Sequence, residues 1–121
     1  MKLSSTPLFV SALFAGLLVA CSPSAEDEAR MKEKMFIETG ESDIMLANID
    51  DCKKLEKELV AFGEAHSEKI KSLDTWWDGL SKGKRQKLNE AHSAEWDKQT
   101  LAMMKTIQCK DALKTGMRAG H

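Results

Sequence analysis

The sequence predicts an all-α fold, in which a long antiparallel helical hairpin and a shorter N-terminal helix form a three-helix bundle. Apolar residues recur at steps of three and four along two long segments, which is the spacing that places side chains on one face of a helix. A stretch rich in aspartate, serine and glycine separates the two segments and predicts the turn of the hairpin. No run of alternating apolar residues indicates a strand.

The first helix is predicted from about Ala25 to Thr39. Ser24 followed three residues later by Asp27 resembles a capping box, and the acidic residues around Asp27 suit the positive end of a helix. Gly40 predicts the C-terminal end of this helix. Because its apolar stripe is weak, we expect the helix to dock on a larger element.

The two legs of the hairpin are predicted as strongly amphipathic helices. The second helix is expected from Asp43 to about Ser72, and the third from Ser81 or Lys84 to about Leu113, with the connection at residues 73–84. The apolar face of the second helix comprises Met45, Ile49, Cys52, Leu55, Leu59, Phe62, His66, Ile70 and Leu73. That of the third comprises Leu88, Ala91, His92, Trp96, Ala102, Met103, Ile107, Cys109 and Leu113.

The first 20 residues have the character of a signal peptide. Lys2 is followed by an apolar run from Leu8 to Ala20, which is too short to span a bilayer as a permanent helix. This run ends in Leu18-Val19-Ala20-Cys21, a motif that resembles the lipobox of bacterial lipoproteins. The alternatives are an ordinary signal peptide whose cleavage site ends in cysteine, and an uncleaved anchor.

The resemblance to lipoproteins implies a location. Residues 1–20 would be removed, Cys21 would be acylated, and residues 21–24 would form a lipidated tether to a domain at residues 25–121. Ser22 follows the cysteine where aspartate would favour inner-membrane retention, so the resemblance implies the inner leaflet of the outer membrane, facing the periplasm. In a Gram-positive host the anchor would lie outside the cytoplasmic membrane instead. No cofactor is expected beyond the covalent lipid.

The same resemblance leaves two cysteines as a pair. With Cys21 acylated in an oxidising compartment, we expect a disulfide between Cys52 and Cys109, the alternative being two buried free thiols. If the hairpin is antiparallel, facing residues have a constant sum of residue numbers, here 161. This register predicts Leu73 opposite Leu88 and Leu59 opposite Ala102.

Two groups of residues are candidates for metal binding. In that register His66 faces Glu95, with His92 one turn away, which predicts either a Zn²⁺ or Cu²⁺ site or an ordinary hydrogen-bonded histidine. The methionines of the mature chain provide thioethers for Cu⁺ or, as the alternative, core packing. The methionines are Met31, Met35, Met45, Met103, Met104 and Met117.

Two tryptophans beside the predicted turn are candidates for partner binding. One of Trp76 and Trp77 is expected to cap the end of the bundle, and the other to anchor a partner. Leu101 and Met104 point away from the main apolar face, so they either meet the first helix or form an exposed apolar patch.

The composition and motifs narrow the function. Removal of Lys2 leaves 17 basic against 19 acidic residues, a net charge of −2, so no basic field for nucleic acid is expected. No nucleophile, phosphate-loop or metalloprotease motif appears, and we expect a protein that is not an enzyme. The predicted function is an envelope lipoprotein that binds another envelope protein or supports the envelope. The alternatives are a periplasmic zinc or copper protein and a lipoprotein similar in size and plan to secretion pilotins or immunity proteins.

Overall fold

The structure is a computed structural model that describes residues 22–121, and it is all-helical over that range. The predicted signal peptide and the predicted lipidation site Cys21 lie outside the described residues. The helices are, in chain order, α1 (Ala25–Ala47), α2 (Cys52–Ala65), α3 (Ser67–Asp78), α4 (Lys82–Ala91), α5 (Ser93–Lys105), a 3-10 turn (Ile107–Cys109) and α6 (Lys110–Arg118).

The first helix begins as predicted and ends later. The Asp27 amide donates to Ser24 Oγ at 3.1 Å and the Ser24 amide donates to Asp27 Oδ2 at 3.0 Å, which completes the capping box. Gly40 does not end the helix. A glycine is needed there because the Phe62 ring lies where a side chain at position 40 would project. A Cβ at Gly40 would lie 2.5 Å from Phe62 Cζ. The glycine therefore provides close packing in the middle of α1.

The predicted second and third helices are each divided. Residues 48–51 form a turn, in which Asn48 Nδ2 donates to Ile44 O at 2.8 Å and Asp51 caps α2 through the Lys54 amide. His66 separates α2 from α3, and His92 separates α4 from α5. The apolar periodicity continues across these joints, so it did not reveal them. A bundle of three uninterrupted helices with one long hairpin is therefore not confirmed.

The hairpin that does form joins α1 to α2 and α3, which run antiparallel to it. Three contacts show the antiparallel direction, because the residue number falls along α1 as it rises along α2 and α3: Gly40 with Phe62, Arg30 with Ser72, and Asp27 with Trp76. The turn at residues 48–51 connects the legs.

The rest of the chain packs against both legs of this hairpin. The helices α4 and α5 follow α1 in the same direction, through the pairs Asp27–Lys84, Glu38–Gln99 and Ile49–Gln108. The chain then crosses the hairpin turn, where the predicted disulfide between Cys52 and Cys109 is present.

Beyond the disulfide, α6 runs parallel to α2. A Cβ at Gly116 would lie 2.5 Å from Leu59 Cβ, and one at Gly63 would lie 2.2 Å from Ala119 O. The residue numbers in these pairs differ by an almost constant amount, close to the sequence separation of 57 between Cys52 and Cys109. The predicted antiparallel register with a constant sum is therefore wrong, although the cysteine pairing itself is confirmed.

Among residues 22–121, three groups of buried side chains form the core. Leu59 and Ala102 share one group with Cys109, but Leu73 and Leu88 do not share any. Leu88 packs on Met31 and Met35, whereas Leu73 packs near Ile37. Both leucines thus pack on α1, which accounts for the failure of the predicted pair.

Candidate binding surfaces at the two ends of the bundle

Trp76 is part of the structural framework. Its indole Nε1 donates to Asp27 Oδ1 at 3.0 Å, and its ring packs against the cores around Leu73 and Leu88. Asp27 is buried, and its pKa is lowered to about 2, mainly by the Ser24 backbone amide and next by the Trp76 indole. Lys84 Nζ completes this cluster at 3.3 Å from Asp27 Oδ2.

Trp77 is half-buried and lines a surface cleft of about 370 Å³ together with Lys34, Asn89 and Trp96. The Lys34 ammonium lies 5.3 Å from the Trp77 ring centroid and 5.7 Å from that of Trp96, within cation–π range. Trp96 Nε1 and Asn89 Oδ1 are buried and have no hydrogen-bond partner within residues 22–121. Unpaired polar atoms of this kind are uncommon in folded proteins.

A second concavity of about 630 Å³ adjoins this cleft, and we call it the α4 groove. It shares Trp77 and Asn89 with the cleft and is otherwise lined by polar and charged side chains of α4: Lys82, Arg85, Gln86 and Glu90. Arg85 Nε is also buried without a hydrogen-bond partner among the described residues. The groove therefore combines an indole with unsatisfied polar groups.

Sequence reasoning missed this groove, although part of the signal was present. Four of the six residues 82–87 are basic, at the start of a helix where acidic side chains are favoured. The neighbouring cleft had no such signal, because the positions of Lys34 and Trp96 in it depend on the parallel packing of α4 and α5 along α1.

An apolar surface lies at the opposite end of the bundle. Met103, Met104 and Ile107, with Thr100, line a shallow concavity of about 380 Å³ that is almost wholly apolar; we call it the methionine patch. Met104 is 66% exposed and Ile107 is 65% exposed. Leu101 is exposed as well. Leu101 and Met104 are therefore not buried against α1, and of the two predicted outcomes exposed apolar surface is the one that the structure shows.

The predicted metal ligands are not brought together. His66 packs between two phenylalanines at the α2–α3 joint, and its ring centroid lies 4.5 Å from that of Phe62 and 6.1 Å from that of Phe36. His92 Nδ1 lies 3.6 Å from Glu95 Oε1 at the α4–α5 joint. Residues 22–121 contain no group of three or more histidine, cysteine, aspartate or glutamate side chains arranged to hold a metal ion.

The methionines divide into two sets. Met31, Met35 and Met45 are buried in the core, where the flexible thioether fills space, and Met117 packs against the core around Met45. Met103 and Met104 are exposed. Metal binding by the exposed pair stays a prediction, which a titration with Cu⁺ would test.

Besides Asp27, residues 22–121 bury a second acidic side chain. Glu41 is 6% exposed and lies between α1 and α3 with Ile37, Ile70 and Leu73 around it. Its pKa is raised to about 8, mainly by burial and further by the carboxylates of Glu38 and Asp74, against the opposing effect of Lys34.

Comparison with protein-family models, curated proteins and solved structures finds no match to this chain. Among the helices of residues 22–121, none combines the length and the apolar character that crossing a membrane requires.

Proposed function

We propose that this chain is a lipid-anchored protein of the bacterial cell envelope that presents the methionine patch to a partner protein. The patch carries the proposal, because exposed apolar surface is costly in a small soluble domain and commonly marks an interface. Methionine side chains adapt to different partner shapes, which suits a docking surface.

The position of the patch supports a partner that is held away from the anchor. Ser22, the residue after the predicted lipidation site, lies at the N-terminal end of α1, whereas Gln108 beside the patch bonds Ile49 O just beyond its C-terminal end. A helix rises 1.5 Å per residue, so the 23 residues of α1 separate the two ends by roughly 34 Å. The patch is thus presented well above the anchored end.

The anchor is tested by the mass of the protein isolated from membranes. We expect cleavage before Cys21 and the added mass of acyl chains. A Cys21→Ser variant should lose the added mass. An unmodified cysteine in the membrane-isolated protein would refute the lipoprotein proposal.

The partner is tested by photo-crosslinking in cells. A crosslinking amino acid replaces Met104, and the matched control replaces Phe36, which is 64% exposed but lies beside His66 and away from the patch. We expect a discrete adduct with another protein from position 104 alone, lost when Ile107→Lys is added. Equal adducts from both positions, or only adducts of two copies of this chain, would contradict the proposal.

A further inference from the structure

We propose that the α4 groove binds the phosphate headgroups of anionic phospholipids in the membrane to which the chain is anchored. The inference rests on the proposed function for the source of the lipid, but the groove itself belongs to the folded domain. It assigns a role to Lys82, Arg85 and Trp77 that the partner-binding patch does not use.

The groove lies at the anchored end of the molecule. Lys87 Nζ on α4 donates to Ser22 Oγ at 3.2 Å, so α4 touches the residue that directly follows Cys21 in the sequence. Only residues 22–24 separate Cys21 from the start of α1. Three extended residues span about 10 Å, which is comparable with the roughly 8 Å range of electrostatic attraction in physiological salt. An acylated Cys21 therefore holds α4 within reach of the lipid headgroups.

The charge of α4 complements an anionic surface. Residues 82–91 contain four basic side chains and one acidic side chain, Glu90, whose carboxylate accepts a hydrogen bond from Gln86 Nε2 at 3.2 Å. Lys84 is paired with Asp27, whereas Lys82, Arg85 and Lys87 form no ion pair within residues 22–121.

Helix stability does not explain this charge. Basic side chains in the first turn oppose the positive end of the helix dipole, and α4 has no acidic residue there. Lys84 is accounted for by its pair with Asp27, and a negatively charged ligand outside the domain would account for Lys82 and Arg85. The acidic residues nearest the anchor, Glu26 and Glu28, belong to the first turn of α1, where they favour that helix instead.

The shape of the groove suits a phosphate group next to a membrane surface. A guanidinium is planar and pairs with phosphate oxygens through two parallel hydrogen bonds, and Arg85 lines the groove. Trp77 forms the wall between the groove and the cleft, and indole rings are favoured at the headgroup level of membranes. A volume of about 630 Å³ accommodates the headgroup of a single phospholipid.

The experiment measures the accessibility of lysines in the whole chain as isolated from cells. The protein is reconstituted with vesicles of phosphatidylcholine alone or with added phosphatidylglycerol, and exposed amines are labelled with an amine-reactive reagent and quantified by mass spectrometry. Lys82 and Lys87 report on α4. Lys53 and Lys57, which are equally exposed on α2 near the disulfide, serve as the matched control.

We expect phosphatidylglycerol to slow the labelling of Lys82 and Lys87 about tenfold or more, to leave Lys53 and Lys57 unchanged, and to lose this effect in high salt. Equal labelling of α4 with both lipid compositions would overturn the proposal and leave an acidic protein segment or a saccharide as the occupant. Protection of all four lysines would also overturn it, since no particular face would then be bound.

Matched variants provide a second readout. One variant combines Lys82→Glu, Arg85→Glu and Lys87→Glu. Each basic residue near an anionic surface contributes about 1 kcal/mol, and every 1.4 kcal/mol is about tenfold in affinity, so this variant should bind phosphatidylglycerol vesicles about 100-fold more weakly. Lys53→Glu with Lys57→Glu and Lys110→Glu changes the net charge equally and should reduce binding less than threefold. Equal losses in both variants would refute a site in the α4 groove.

The binding assay uses protein that begins at residue 21 and carries Cys21→Ser, so that neither acyl chains nor the apolar segment of residues 1–20 dominates the affinity, and circular dichroism establishes that each variant is helical. The mass of the unsubstituted protein reports acylation separately. An unacylated protein that still shows selective protection of Lys82 and Lys87 would end the lipoprotein proposal and retain the headgroup site. An acylated protein without that protection would end the headgroup proposal and retain the lipoprotein proposal.

Discussion

Replacement of Glu41 by glutamine should stabilise the protein at neutral pH and have no effect in mild acid. The side chain is 6% exposed, and its pKa is raised from 4.5 to about 8 because burial disfavours the charged carboxylate. Glutamine has nearly the shape of the protonated carboxyl group and does not titrate. The variant therefore removes the cost of keeping Glu41 neutral in the folded protein.

The magnitude follows from proton linkage. Below pH 4.5 both the folded and the unfolded chain hold the proton, so Glu41 imposes no penalty. Between pH 4.5 and about 8 the folded protein still holds the proton that the unfolded chain releases, and the free energy of unfolding falls with rising pH by about 1.4 kcal/mol per unit. At pH 7 the accumulated penalty is roughly 3 kcal/mol. Above about pH 8 both states are ionised and the penalty is constant.

The assay is urea unfolding followed by circular dichroism at pH 4, 5.5, 7 and 8.5. We expect Glu41→Gln to gain stability progressively from pH 5.5 to pH 8.5 and to match the unsubstituted protein at pH 4. Glu68→Gln, exposed in the first turn of α3, is the matched control, and it should lower the free energy of unfolding by no more than about 1 kcal/mol and give no gain at any pH. A gain of the same size at pH 4 and pH 7, or no gain at pH 7, would refute the reasoning.

Three further predictions concern the framework. Removal of the disulfide by Cys52→Ala with Cys109→Ala opens a loop with a sequence separation of 57 and should lower the free energy of unfolding by about 4 kcal/mol, measured by urea unfolding. Gly63→Ala places a Cβ against the backbone of the facing segment and should lower the free energy of unfolding by about 1–3 kcal/mol. Gly83→Ala meets nothing within 4 Å and should raise the free energy of unfolding by up to about 1 kcal/mol. Thermal melts in which both variants shift the melting temperature in the same direction would contradict the close approach at Gly63. Asp27→Asn should flatten the acid limb of the stability profile, because the lowered pKa of Asp27 provides stability that is full above about pH 4 and is lost as the pH falls towards 2.

Features that depend on neighbouring residues were predicted correctly from the sequence. The capping box of Ser24 and Asp27 involves residues three apart, and its hydrogen bonds form as soon as the helix begins. The end of α1 was misplaced for a tertiary reason, because Gly40 is required by the approach of Phe62 and not by a helix cap. A glycine in a sequence does not distinguish these two roles.

The candidate sites divide in the same way. Exposure of Met104 and Leu101 was one of two predicted outcomes, since both residues lie off the main apolar face of their helix. The proposed cluster of His66, His92 and Glu95 depended on the register, and the register assumed that the two cysteines join antiparallel helices. A disulfide constrains only the distance between two points, so it is equally compatible with the parallel pair that forms.

Local chemistry alone therefore accounts for the helical class and the first helix cap, and the pairing of Cys52 with Cys109 followed from the number of cysteines left once Cys21 is assigned to the lipid. Which helices pack together was decided only in three dimensions. An apolar stripe requires that a face be buried, but many partners satisfy it equally well, as Leu88 does by packing on Met31 instead of near Leu73. The cleft lined by Lys34, Trp77, Asn89 and Trp96 exists because the chain after Ser81 follows α1 in parallel, and that choice depends on the summed fit of side chains far apart in sequence.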